Sequence, residues 1–493
     1  MISEYVREQK RYTRDQLQSL FRCSDADIIR IIKRLKEYGV LKKVKNTKEQ
    51  LDMSDLLEED IEVSDEDETP KNYLYVFTFV GIIIVEGRVL KCYPKYIFSN
   101  NAPAEELKQI IKVLQKYNSK EQIIHMYNEG GRTSTFNRLA VMVFLLNDYF
   151  DNGVYVNTQD IIETNGMGEI NWDRTINNTF AIIKHSHPYY VELQTKRRVA
   201  DDTDFFKRLH ECLLSVCSKE LADADLLELL DITGVELTDE TLEELGEEDY
   251  LLYRIERELN VQFNTRKQEV LKAMSALITN KATMDDSDSF SMYGSNSFNL
   301  VWEKVCAEVM DNQLNTRLVD LNLPGKLSIP ATSPCQPTDK LIDIIERPKW
   351  MGQKADESSF EKEANDTLTP DLISINNNND GEYSFIIFDA KYYTIQLEEY
   401  KPLRGQPGIS DVTKQYLYQL AYKDFVQVNG LKTVKNCFLM PTEEDRIIHK
   451  GAVRMDMLGA LQLERIQVRQ LPAKHIFKYY LELKKLNVDA LNL

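Results

Sequence analysis

The chain is poor in the residues that stabilise secreted or metal-stapled proteins. Seven of its 493 residues are cysteine, scattered along the sequence. The closest pair, Cys212 and Cys217, has no second ligand pair, which argues against a zinc knuckle or a disulfide framework and for thiols in a reducing compartment. Histidine is equally sparse at six. His185 and His187 would face one way on a strand, but no third ligand lies near them. No apolar run reaches the length of a membrane span. The opening MISEYVREQKRYTR has no apolar core of the kind a secretory signal needs, so a cytoplasmic protein is expected. No G-x-x-x-x-G-K-[ST] occurs, so no phosphate-cradling loop and no nucleotide bound by this chain are expected. Positive charge is in deficit: 61 Lys and Arg against 79 Asp and Glu, a net charge of −18. A whole molecule of that balance does not adhere broadly to nucleic acid. Any DNA must meet a local basic patch or be delivered by a partner.

One such patch opens the chain. Residues 1–50 carry 13 Lys and Arg against 7 Asp and Glu. Thr13-Arg14-Asp15-Gln16 reads as a capping box for a short helix, and Ser24 caps a second that ends before Gly39. Ile28, Ile31, Ile32 and Leu35 share one face of that helix. Arg30, Lys33 and Arg34 lie opposite, and Val40–Val44 reads as a wing strand. The pattern is winged-helix-like, and the three basic residues are its candidate DNA contacts. A protein-binding winged helix with a solvated basic face is the alternative. Residues 51–70 then carry ten acids and no Lys or Arg, which reads as a linker.

From residue 71 to 284 the pattern is mixed α+β. Tyr73–Glu86 reads as an apolar strand run, Glu86-Gly87 as a turn, and Arg88–Tyr93 as the returning strand. Helices are expected over Ala104–Tyr117, Thr135–Tyr149, Asp173–Ile183, Phe205–Leu230 and Asp249–Ile278. Residues 285–493 form the last expected domain. It opens with a helix over Phe298–Val309, then a proline-rich loop region from 315 to 341. Lys349 and Trp350 follow on an edge element, with Trp350 expected in the core because tryptophan is highly buried on average. Strands are expected over Asn436–Pro441 and Ile466–Leu471, and a closing helix over Ile476–Leu486.

The only constellation that specifies a chemistry lies in this last domain. Ser384–Tyr392 reads SFIIFDAKY, an apolar run suited to a central strand. Alternation puts Asp389 and Lys391 on the same side. Asp371–Ile375 is a partner strand, joined through Asn376–Gly381, whose Asp-Gly is a turn signal. An antiparallel pair would bring Asp371 beside Asp389. Two carboxylates and the Ala390 carbonyl are hard oxygen ligands suited to Mg²⁺, with Mn²⁺ as a substitute. A metal there would polarise a phosphodiester, and Lys391 would orient the attacking water. The alternative is a buried strand ending in a structural ion pair. Asp411–Lys423 reads as a helix with Gln415, Gln419 and Tyr422 on one face, placed to hold water or phosphate. Glu303, on an otherwise apolar helix, is a candidate for a further metal contact.

This layout is that of the PD-(D/E)xK nucleases. The chain also resembles the LlaJI-type restriction endonucleases, which are similar to McrC, the nuclease subunit of McrBC systems. The resemblance rests on Tyr293-Gly294-Ser295, Val301-Trp302-Glu303, Arg347-Pro348-Lys349-Trp350, Pro370-Asp371, Asp389-Ala390-Lys391 and Lys414–Gln419. Gly168–Thr175 and the strands of Val76–Ile97 add to it, so it covers roughly residues 71–493. It implies an α/β protein with a carboxy-terminal PD-(D/E)xK domain acting as a Mg²⁺-dependent DNA endonuclease in restriction of foreign DNA. Asp371, Asp389 and Lys391 would be its catalytic set. It further implies a partner, a McrB-like AAA+ GTPase that reads and translocates double-stranded DNA. Homodimerisation of the nuclease domain is left open. Two other readings fit the same residues: a repair-type nuclease of this fold, or a winged-helix DNA-binding protein with an inactive nuclease fold.

Overall fold

The computed structural model describes residues 1–46, 73–119, 136–200, 204–280, 283–286, 289–331, 333–354, 357–377, 382–431 and 433–493. The acidic stretch 51–70, the start of the helix expected from Thr135 and the turn at 378–381 lie outside the described residues.

The amino-terminal elements are β1 (Ile2–Arg7), β2 (Arg11–Tyr12), α1 (Arg14–Phe21), α2 (Asp25–Glu37) and β3 (Leu41–Lys45). Local chemistry sets them as the sequence implies. Thr13 and Gln16 form the reciprocal capping box of α1, and Ser24 accepts from the Asp27 amide to cap α2. Gly39 supplies the positive φ of 67° that ends α2. Ile28, Ile31 and Leu35 are fully buried with Leu17 and Phe21 beneath the helices.

Strand partners are less local than this. β3 and β2 both pair antiparallel with β4 (Tyr73–Phe77), which lies between them. The amino-terminal unit therefore takes its central strand from beyond residue 70. β1 leaves the unit and runs parallel to β6 (Arg88–Tyr93). There it edges a second sheet of order β1-β6-β5-β12, with β5 (Val80–Val85) and β12 (Phe290–Ser295). The apolar run expected as one strand over Tyr73–Glu86 is thus divided between two sheets. Glu86 and Gly87, at φ 47° and 71°, make the tight turn of the β5–β6 hairpin. Gly81 faces Gly294 across β5 and β12, where a Cβ on either would come within 2.2 Å of the opposing backbone. Only glycine fits that close approach.

Helices α3 (Ala104–Ser119) and α4 (Arg138–Asn152) cover this sheet. An excursion follows, with β7 (Thr158–Thr164), β8 (Glu169–Ile170), α5 (Trp172–Asn178), β9 (Ala181–Lys184), β10 (His187–Tyr190) and β11 (Gln194–Ala200). The helix expected over Asp173–Ile183 ends at Asn178, because Ile182 and Ile183 pair with Tyr189 and Pro188 in the β9–β10 hairpin. His185 sits in that hairpin's turn at φ 51°, so it does not share a strand with His187. Then come α6 (Phe205–Asp223), α7 (Leu227–Leu230), α8 (Leu242–Leu245), α9 (Glu248–Leu259) and α10 (Thr265–Thr279). The two long expected helices each break once. Asp225 takes a left-handed φ of 54° after α6, and Asn264 starts α10 afresh by accepting from the Lys267 amide.

His210, on α6, is fully buried, and its Nδ1 accepts from the Tyr155 amide at 2.9 Å. Burial pushes its pKa down to about 4, with Asp148 partly opposing and Arg266 reinforcing the shift. The native state therefore holds a neutral ring, whereas the unfolded chain titrates near 6.5. This contribution is complete above that value and is lost as pH falls toward 4, amounting to about 3 kcal/mol. Thermal unfolding of wild type should weaken more steeply than that of His210→Asn between pH 6.5 and 4. Parallel profiles would refute the assignment.

The carboxy-terminal part begins with α11 (Phe298–Val309). A ribbon of β13 (Lys349–Gln353) and β14 (Ser359–Glu363) follows the proline-rich loops. Trp350 lies on this ribbon and is 71% exposed, not in the core as expected. A two-stranded ribbon has no layer to cover it. The main sheet has the order β15-β16-β17-β19-β18, from β15 (Leu372–Asn377), β16 (Tyr383–Ala390), β17 (Thr433–Thr442), β18 (Ile448–Val453) and β19 (Ile466–Pro472). Helix α12 (Ile409–Val428) joins β16 to β17, which run parallel, and α13 (Ala473–Leu481) follows β19. Phe385 and Ile387 pack under α12, whereas Ile386, Phe388 and Ala390 pack against α11 and α13. Two-faced burial explains why β16 reads as an unbroken apolar run. The α11–α13 face merges with α3 into one core, so the second sheet and the main sheet are built against each other.

Candidate active site

The geometry starts from strand register. β15 and β16 pair antiparallel with Leu372 opposite Phe388, which sets Asp371 beside Asp389 one step further on. Asp371 Oδ2 accepts from the Ala390 amide at 2.9 Å, which holds its carboxylate against the end of β16 beside Asp389. Alternation along β16 puts Asp389 and Lys391 on the α12 side, where Lys391 Nζ lies 3.0 Å from Asp389 Oδ1. The structure thus brings Asp371, Asp389, Ala390 and Lys391 together at the ends of two adjacent strands.

The electrostatics are those of crowded acids. Burial, then the neighbouring Asp371 carboxylate, hold Asp389 well above the ordinary carboxylate range, against the pull of Lys391. Burial pulls the Lys391 pKa down, but Asp389 and Asp411 outweigh it and keep the ammonium charged. Glu303, on α11, is half-buried and pushed up to about 7 by burial and then by Asp371. It lines a cleft of about 530 Å³ together with Asp371, Asn312, Lys304, Tyr117 and Tyr480. Glu303 therefore belongs to the same electrostatic site as the aspartates.

Gln415 and Gln419 sit differently. Both are buried against the sheet. Gln415 donates to the Ile387 carbonyl at 3.2 Å, and Gln419 accepts from Asn436 at 2.9 Å. They tie α12 to β16 and β17 and do not present their amides to the cleft. Gln415 Oε1 has no hydrogen-bond partner among the described residues.

Three further residues shape the site. Asp411 accepts both from Lys391, at 3.2 Å, and from the Gly408 amide at the start of α12. An acid in the first turn of that helix was visible in the sequence, but its reach to Lys391 was not. Asn312 donates to the Asp371 carbonyl and accepts from the Ile373 and Leu314 amides, which fixes the entry to β15. The Tyr418 hydroxyl donates to Thr369 just before Pro370-Asp371. Its pKa is raised to about 12 by burial and then by the two aspartates.

The donor set suits a hard divalent cation. Two neighbouring carboxylates, one of them held above the ordinary range, form a site short of positive charge, and their oxygens are the ligand type Mg²⁺ takes. Among the described residues, no three His, Cys, Asp or Glu side chains converge as a ready cage. Such an ion would rest on Asp371 and Asp389 and take its remaining ligands from backbone, water or substrate.

In the amino-terminal unit, Arg30 pairs with the buried Glu86 at 2.7 Å, and Arg34 approaches the same carboxylate at 3.7 Å. Lys33 is exposed. Part of the basic face is therefore already countered from the β5–β6 turn. Among the described residues no helix is long and apolar enough to cross a membrane.

Comparison with known proteins bears on this arrangement. The family model described as LlaJI restriction endonuclease matches residues 79–326 and 337–476, well over half of the chain. A curated relative, the type II restriction enzyme BsuMI component YdjA of Bacillus subtilis (strain 168), is 26% identical over 429 residues. That alignment spans 84% of this chain and 83% of the relative. Two solved structures are similar at 14% identity. In a Thermococcus gammatolerans assembly of McrB AAA+ hexamers with bound McrC, the matching chain is 99% covered by 97% of this one, at a TM-score of 0.37. In a McrBC complex of the same organism, 61% of this chain covers 85% of the matching one at 0.23. Both scores are too low to carry an argument about fold or partner. The family match includes Glu303, Asp371, Asp389 and Lys391, and the chain belongs to the LlaJI restriction endonuclease family.

Proposed function

We propose that this chain is the DNA-cleaving subunit of a restriction system, a Mg²⁺-dependent endonuclease with a PD-(D/E)xK catalytic unit. The observation that carries the reading is the convergence of Asp371, Asp389 and Lys391 at two adjacent strand ends, with Glu303 lining one cleft together with Asp371. A bound divalent cation would supply Lewis-acid polarisation of the scissile phosphate. Asp371 and Asp389 would hold it, and Mn²⁺ would replace Mg²⁺ there. Lys391, kept charged by its two acids, orients the attacking water and offsets charge on the phosphorane. Glu303, poised near neutrality, can hold or release a proton at the rim of the cleft.

The amino-terminal unit serves as a winged helix that meets duplex DNA through Arg30, Lys33 and Arg34. Glu86 restrains two of these cations. Glu86→Gln should raise duplex affinity about threefold and steepen its salt dependence. Unchanged binding would place the DNA contact elsewhere.

The net charge of −18 supports delivery of DNA by a separate AAA+ GTPase. The excursion from β7 to β11 is a candidate dock for that partner. It exposes Met167, Trp172, Ile176, Phe180, Ile183 and Tyr189, apolar side chains that a docked partner would cover. The test is cleavage of circular duplex DNA with Mg²⁺, with and without an AAA+ NTPase encoded beside this chain and with GTP. Cutting should require both protein and nucleotide. Cutting by this chain alone would overturn the partnership, and no cutting by the complete mixture would overturn the endonuclease.

A further inference from the structure

A buried contact links the first strand of the chain to the residue that follows Lys391. Glu8, just past β1, is 6% exposed. Its amide donates to the Tyr93 carbonyl beyond the β1–β6 ladder, which fixes the backbone there. Its Oε2 accepts from the Tyr392 hydroxyl at 2.5 Å and from the Lys95 amide at 3.2 Å. The Tyr392 ring is gripped on several sides. Lys95 Nζ lies over it at 4.7 Å, Phe298 meets it edge-on at 5.3 Å and Tyr96 at 6.3 Å.

The position of this contact gives it a consequence. Strand β16 ends at Ala390. Beyond it, the Lys391 amide still donates to the Leu439 carbonyl at 2.9 Å, but residues 391–395 belong to no strand. Tyr392 packs on Phe298 of α11, whereas Lys391 reaches Asp411 of α12, so the two side chains leave the backbone on opposite sides. Fixing its phenol therefore fixes the backbone that carries the Lys391 side chain. Displacement of a reacting group by about 1 Å can cost a hundredfold in rate, so such an anchor has a kinetic value out of proportion to its contact area.

We propose that Glu8 is a positioning residue for Lys391, acting through the Tyr392 hydroxyl, so that the second sheet completes the catalytic site of the main sheet. Its catalytic meaning rests on the nuclease reading above. The anchor predicts a split that loss of folding would not give. In the complete cleavage mixture, Tyr392→Phe keeps the ring and removes only its hydroxyl. It should lower kcat about tenfold, with KM for DNA and Mn²⁺ affinity of the chain unchanged. Glu8→Ala should match it, whereas Glu8→Gln, whose amide oxygen still accepts both donors, should restore kcat to within about twofold. Amide exchange over Lys391–Ile395 should rise about tenfold in Tyr392→Phe and not elsewhere. Wild-type kcat and exchange in Tyr392→Phe would overturn the proposal. So would a chain-wide rise in exchange with a lower Tm in both Tyr392→Phe and Glu8→Gln. If wild type cuts nothing, the nuclease reading fails, and the exchange measurement still decides whether the anchor exists.

Discussion

Asp389→Asn should reduce DNA cleavage at least about a thousandfold, equivalent to about 4 kcal/mol of transition-state stabilisation, without a loss of folding. Asparagine matches the shape of the acid but offers a cation only a weak neutral oxygen. The stability side follows from the direction of the pKa shift. A carboxyl whose native pKa lies above its unfolded value is favoured in its protonated form. The stability it contributes is present below the unfolded pKa and is lost as pH rises through the native one. At pH 8 wild type therefore carries the cost of a buried, crowded charge that Asp389→Asn lacks. The variant should unfold at a temperature equal to or above that of wild type while failing to cut. Lys391→Met should be as inactive, but it leaves Asp389 and Asp411 without their shared cation and should be less stable than Asp389→Asn. Far-ultraviolet circular dichroism, thermal unfolding and a nicking assay on the same preparations check both. Residual cutting above a hundredth of wild type in both variants would place the chemistry elsewhere.

The sequence carried the local half of this site and little of the rest. Asp389 and Lys391 were legible because period-two alternation fixes which side chains share a face. The antiparallel return fixes Asp371 beside them. Capping at Thr13 and Ser24 was legible because a cap is chemistry over three or four residues. What escaped depends on distant pairing. β1 and β12 were not read as strands, and nothing in their composition says that they enclose the β5–β6 hairpin in one sheet. Gln415 and Gln419 share a helix face as expected, but periodicity says which residues face together, not what they face. Here they face the backbone of β16 and a side chain of β17. Trp350 shows the complementary failure. Average burial of a residue type is no guide on a ribbon with no covering layer. Asp411 entered the sequence reading only as the first residue of an expected helix; its contacts with the Gly408 amide and Lys391 come from the fold.

Trp302 illustrates how the site depends on the packing behind it, and its truncation should have the largest effect on stability. The side chain is fully buried on α11, next to Glu303. Its indole Nε1 donates to the Leu439 carbonyl at 3.1 Å, and its ring meets Phe477 of α13 edge-on at 5.9 Å. The same Leu439 carbonyl accepts the Lys391 amide. One acceptor on β17 therefore registers both the helix that bears Glu303 and the backbone of Lys391. Trp302→Ala removes a large ring from a closed core and should cost about 4 kcal/mol, read as a lower denaturant midpoint. Trp302→Phe fills most of the space and loses only the indole donor. It should cost about 1–2 kcal/mol, because the Leu439 carbonyl keeps its bond from Lys391. If the shared acceptor matters mainly through packing, Trp302→Phe retains cleavage within a few-fold, and Trp302→Ala loses it in proportion to the displacement of Glu303. Equal stability of the two variants would mean that the cavity collapses freely. In that case α11 would not be held to the sheet by this residue.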